Sequence, residues 1–206
     1  MKMLQQIHSH AVHSRRVESL TRHLAPLLPP DGLVLDIGCG DGLLGSCLAE
    51  SNPSLKLKGL DVLVRSDTRI PVTAFDGTTI PFENNSVDSV LLIDVLHHTV
   101  DPTVILKEAK RVARKSILIK DHTRNGLFAR STLRFMDWVG NASYGVALPY
   151  NYLSYEEWQQ MFSTLNLEVT DWESNLHLYP RPADYLFGRS LHFVAKIRVS
   201  HEHTAE

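Results

Sequence analysis

The chain has 206 residues, 43% hydrophobic and 21% charged, which is enough for one sizeable core and fits an ordinary globular protein. A formal net charge of -2 gives no general pull toward nucleic acid or an anionic membrane. No apolar run is long enough to span a bilayer and no N-terminal segment reads as a secretory h-region. The two cysteines make no disulfide framework, so a soluble protein of the reducing cytoplasm is expected.

In chain order, residues 3–28 have helical character, with Val17, Leu20, Leu24 and Leu28 on one face. "PLLPPDG" at 26–32 then turns the chain. Leu33–Ile37 is a short apolar strand suited to a sheet covered on both faces, and a helix at 43–50 follows it. Strands are expected at 57–61, 72–75 and 87–95, the first ending in an acid. Asp101-Pro102 reads as an N-cap and first helical residue for a helix at 103–113, which leads to a fifth strand at 116–120. Ser154 and Glu157 form a capping box for a helix at 155–165, and strands at 169–174 and 192–199 close the chain. Strands alternating with helices imply an α/β, doubly wound, mostly parallel seven-stranded sheet in a single domain over 1–206.

The stretch "VLDIGCGDGLLG" at 34–45 ends a strand in an acid and then runs into glycines. Gly40 to Gly45 satisfies G-x-G-x-x-G, and Asp61 follows at about the distance of a ribose-binding acid, so a nicotinamide-dependent oxidoreductase is one reading. Asp36 and Asp41 would repel a pyrophosphate, however, whereas the ammonium of an amino-acid tail would welcome at least one of them. No Tyr-x-x-x-Lys occurs in the chain.

"VLDIGCGDG", "GLDV" at 59–62, "FDGTTIPFENNSVDSVLLIDVLHHTVDP" at 75–102 and "ILKEAKRVARKSILIKD" after it resemble the class I S-adenosylmethionine-dependent methyltransferases. Within that class they resemble the small type-11 group, which includes quinone-pathway enzymes. The resemblance implies a Rossmann-like methyltransferase fold, S-adenosylmethionine as donor, S-adenosylhomocysteine as product and a small-molecule acceptor, apolar or aromatic. It implies neither nucleic acid nor stable membrane insertion. A catalytically silent binding module of the same fold is the further alternative.

The implied donor site takes Asp36 toward the ammonium and the main chain of Gly38, Cys39 and Gly40 along the methionine moiety. Asp61 with Val62 lies at the ribose, Asp76 and Gly77 at the adenine edge, and Asp94 beside the sulfonium. All lie at carboxyl ends of strands, where open α/β sheets bind ligands.

For a base, Asp121 and His122 form a neighbouring pair at the end of strand five, with His98 as a further candidate. His97 and His98 are adjacent, which predicts rings pointing apart and a poor chelate, so no metal is expected. His8, His10 and His13 share no helical face and are expected to be solvated. Residues 121–153 interrupt the strand–helix rhythm. Phe128, Phe135, Trp138, Tyr144 and Tyr150 make the segment aromatic, and Arg124, Arg130 and Arg134 make it basic along one edge. So long an irregular stretch inside a compact fold predicts a lid over the acceptor.

Overall fold

The computed structural model describes residues 15–141 and 149–200. Seven strands form one sheet in the order β3-β2-β1-β4-β5-β7-β6. They are β1 (Gly32–Ile37), β2 (Leu55–Asp61), β3 (Val72–Ala74), β4 (Val87–Ile93), β5 (Ala113–His122), β6 (Glu168–Glu173) and β7 (His192–Arg198). Pairing is parallel from β3 to β5, while β7 runs antiparallel to both β5 and β6. The helices are α1 (15–24), α2 (Leu43–Ser51), α3 (Pro102–Val112), α4 (Ala129–Asn141) and α5 (Tyr155–Thr164). None of the described helices is long and apolar enough to cross a membrane. The expected helix start at 3, the histidines at 8, 10 and 13, and Tyr144 lie outside the described residues.

The central strands are apolar at consecutive positions because both faces of the sheet are covered. Alternation sends Val34, Leu91 and Leu118 to one face, where Leu20 and Leu24 of α1 and Leu48 of α2 pack. Leu35, Ile37, Val90, Leu92, Ile117 and Ile119 go to the other face, against Ile105, Leu106 and Ala109 of α3 and Trp158 and Phe162 of α5. This parity continues to the strand ends and decides where the polar residues go. Asp36, Lys120 and His122 project on the α1 side, and Asp121 on the α3 side.

Local signals set the helix starts. The Asp101 side chain accepts from Thr103 N at 2.9 Å with Pro102 behind it. The Ser154–Glu157 box closes from both directions, at 3.2 and 2.6 Å, an arrangement worth about 1 kcal/mol.

Three differences from expectation bear on the site. β4 stops at Ile93, because Asp94 adopts φ 57° and turns the chain into a 3-10 turn at Leu96–His98. β5 runs on to His122, since β7 pairs with it as far as His122–His192. Asp121 and His122 are therefore strand residues, not loop residues. The stretch after β5 contains a regular helix, α4, where the rhythm of the sequence breaks.

Candidate active site

The carboxyl ends of β1, β2 and β3 meet at the glycine loop. Gly38 N donates to Leu60 O at 2.7 Å and Gly40 N to Asp61 Oδ2 at 2.8 Å, so the loop is tied to the end of β2. Gly38 has φ 70°, and a Cβ there would stand 2.6 Å from Val95 Cγ2, so both conformation and space select glycine. Asp61 Oδ1 accepts from Leu63 N at 2.9 Å, and each carboxylate oxygen has a second lone pair for a ligand. Val62 is 65% exposed and lies against Gly77, presenting an apolar face next to that acid. Asp76 is exposed, and Oδ1 takes the Thr79 and Thr78 N–H groups at 2.6 and 2.7 Å; those bonds hold its pKa below the usual carboxylate value. The Cys39 sulfur lies under Gly59 and within 4.0 Å of Gly40 O, and burial pushes the thiol up to about 12.

Asp36 sits beneath this loop at 2% exposure. Burial, and then the negative charge of Asp61, push its pKa up to about 7. A buried carboxyl placed so would gain from a cationic ligand, which would restore its charged form. The cradle therefore fits a donor that offers an ammonium group. Arg65, which motif reading passed over, lays its guanidinium over Gly40, with Nη2 3.3 Å from where a Cβ would stand.

The second half of the site lies at the ends of β4 and β5 and is built of charge. Asp94 accepts short hydrogen bonds from Arg16 of α1 and from Lys120, a fully buried lysine. Burial raises the Asp94 pKa, but Arg16 and Lys120 outweigh it and hold the carboxyl well below its usual value. Burial lowers the Lys120 pKa despite Asp94. Asp94, expected beside the sulfonium, is thus a carboxylate whose charge two cations already counter. His122 Nε2 lies 3.4 Å from Asp94 Oδ1, and its Nδ1 is buried without a hydrogen bond. Burial first, then Lys120 and His97, keep the His122 pKa well below 6.5.

The expected Asp121–His122 pair is corrected. Neighbours in a strand point to opposite faces, and Asp121 turns to His97, whose Nδ1 lies 2.7 Å from Oδ1. The same carboxylate accepts from Leu96 N at 3.0 Å and His122 N at 2.8 Å. It therefore clamps the turn after β4 and orients His97. Burial lowers the His97 pKa but Asp121 outweighs it, and the net direction is upward. His97 and His98 do not point apart either. Within the 3-10 turn their ring centroids stand 4.0 Å from each other. His98 is held low by burial and then by His97.

Over these groups lies α4. Its inner face places Ala129 and Leu133 against Tyr152 and Leu191, and the Tyr152 hydroxyl donates to Asp137. Phe128, Phe135 and Trp138 face outward at 54–72% exposure. Arg134 stacks over Tyr150, whereas Arg124 precedes the helix and pairs with Glu157, so the three arginines do not share one edge. Motif reading assigned no role to Arg16, Asp137, Tyr152 or His192. Only Lys120, a charge inside an apolar strand, carried a visible signal.

An open sheet with a glycine loop and an acid at the ends of β1 and β2 defines a nucleoside-type ligand site. The model of the methyltransferase-domain family matches residues 8–171, and the chain belongs to that family. It carries a methyltransferase domain, and its fold is that of class I, S-adenosylmethionine-dependent methyltransferases, so the dinucleotide reading falls away. Among solved structures it is similar to a S-adenosylmethionine-dependent methyltransferase of Thermotoga maritima (17% identity, 96% of each chain, TM-score 0.66). It is similar too to the complex between the Haloferax volcanii Trm112 methyltransferase activator and a methyltransferase (17% identity, 87% and 88%, TM-score 0.66). The [4+2]-cyclase SpnF shares the fold as well (15% identity, 87% and 79%, TM-score 0.63). A 37.1 kDa protein of transposon TN4556 from Streptomyces fradiae is 34% identical over 96 residues, 41% of this chain and 28% of that relative's length.

Proposed function

We propose that the protein moves the methyl group of S-adenosylmethionine to a small-molecule acceptor that enters beneath α4. The observation that carries this reading is the buried Asp36 carboxyl under the glycine loop, which calls for a cation where a donor ammonium would lie. Asp61, fixed by Gly40 N, would accept from the ribose hydroxyls, with Val62 against the adenine face and Asp76 and Gly77 at its edge. Arg65 stands where it can meet the donor carboxylate. The donor supplies a carbon already activated by its sulfonium, so the chain's tasks are alignment and exclusion of water. α4 and Tyr152 cover the far side. His122 is the base for a protonated nucleophile: it stands at the end of β5 beside Asp94, and its Nδ1 is buried without a hydrogen-bond partner. Asp94, Lys120 and Arg16 fix that ring from below. Asp121 acts as a positioning residue, and His98 lines the same turn.

Calorimetry with the donor, combined with an acceptor screen followed by mass spectrometry, tests the division of the site. Tyr152→Phe, beneath α4, should change acceptor turnover while donor affinity stays within about twofold. His122→Ala should lower the rate about 10²–10⁴-fold at unchanged donor affinity. Weakened donor binding with normal acceptor kinetics in these variants would reverse the assignment.

A further inference from the structure

The turn after β4 and the inner face of α4 bring together two histidines and a carboxylate that the methyl-transfer reading leaves without a task. We propose that His97 Nε2, His98 Nδ1 and Asp137 form a binding site for one divalent transition-metal ion, of the Zn²⁺ or Co²⁺ type. One ligand atom from each of the three residues lies within 4.8 Å of the other two. His97 Nε2 and Asp137 Oδ2 are 3.6 Å apart. That is too long for a hydrogen bond. It is close to the separation of about 3.4 Å between two ligands each about 2.1 Å from a tetrahedral ion. His98 Nδ1 is buried without any hydrogen bond, a vacancy that a metal bond would fill.

The surroundings are those of a metal ligand set. His97 Nδ1 lies 2.7 Å from Asp121 Oδ1, which fixes the ring with Nε2 directed at Asp137. Histidines that bind metals commonly carry such a carboxylate on the other nitrogen. Asp137 is oriented in turn by the Tyr152 hydroxyl. A second set, Asp94 with His97 and His122, has similar spacing. It is the poorer choice, because Arg16 and Lys120 both pair with Asp94 and would repel a divalent cation. At the Asp137 set His97 lies between two carboxylates, Asp121 at Nδ1 and Asp137 at Nε2. An ion there would join the β4 turn to α4 and hold the helix over the site, with at least one coordination position left to water or ligand. This proposal does not depend on the methyl acceptor or on donor binding.

The test is titration of the metal-stripped chain with Co²⁺, followed by d–d absorption and by calorimetry. One tight site with tetrahedral-type bands is expected. His98→Ala and Asp137→Asn should each weaken it at least 100-fold while the circular dichroism spectrum is retained. His8, His10, His13, His201 and His203 provide other metal ligands in the sequence. A variant with alanine at those five positions must therefore keep the tight site. If the five-alanine variant loses it, or His98→Ala and Asp137→Asn leave it unchanged, or the native chain takes up no Co²⁺, the proposal is overturned. His97 would then serve only as a link between Asp121 and Asp137. Should either variant unfold, His98→Gln, which keeps a polar side chain in the turn, reads the same bands.

Discussion

If Asp36 meets the donor ammonium, donor binding must drive a proton off that carboxyl. In the free protein its pKa is raised to about 7, by burial first and by Asp61 second. A group with that pKa is about 99% protonated at pH 5 and half protonated at pH 7. If the bound form keeps the carboxylate charged throughout, the apparent donor affinity rises about 50-fold between those pH values, with close to one proton released per donor at the acid end. The window closes near pH 7.5–8, where an α-amino group itself begins to lose its proton. Calorimetry in two buffers of different ionisation enthalpy measures both quantities. Asp36→Asn should bind more weakly at pH 7 and lose the dependence.

The same shift gives an independent readout in the ligand-free protein. Because the folded pKa lies above the unfolded one, the folded chain holds the extra proton between about pH 4 and pH 7. The associated stability is present at the acid end and lost as pH rises through about 7. Its ceiling is on the order of 4 kcal/mol, at 1.36 kcal/mol per pKa unit. Asp36→Asn should therefore flatten the dependence of Tm on pH across that interval. A donor affinity independent of pH between 5 and 7, or an Asn variant with the native slope, would refute the placement of the ammonium at Asp36.

Three further outcomes follow from the same geometry. Asp61→Ala should weaken donor binding by roughly one to two orders of magnitude, as expected for the loss of a charge-assisted hydrogen bond, without unfolding the protein; calorimetry with a thermal melt checks both. Asp76→Asn keeps the Oδ1 acceptor for Thr78 and Thr79, so its melting temperature should hold while donor affinity falls; equal loss in both would assign Asp76 to the turn alone. Asp94→Ala strands the buried Lys120 and should cost about 3–5 kcal/mol in urea unfolding, most of it recovered when Lys120→Met is added.

The sequence alone determined the elements that depend on local chemistry and periodicity. Gly38 and Gly40 marked the turn after β1, where both take positive φ. Asp101-Pro102 and Ser154–Glu157 marked helix starts because capping is settled within three or four residues. The nearly continuous apolar run at 33–37 and the run at 90–93 announced strands covered on both faces. Family resemblance added the acids at 61 and 76, at the strand ends where the structure places them.

The tertiary structure decided what requires distant partners. Pairing with β7 carried β5 on to His122, and that parity separated Asp121 from His122 and turned Asp121 to His97. Docking of α1 brought Arg16 to Asp94 across 78 residues, so an acid that sequence placed beside a sulfonium became the centre of a buried ion cluster. No local pattern could foretell that His97 and His98 converge, because the 3-10 turn that brings them together starts from the positive φ of Asp94. Burial set the remaining chemistry. Asp36, Lys120 and His122 owe their shifted proton affinities to the helices packed over the sheet, and a sequence does not state which charges those helices will exclude from water.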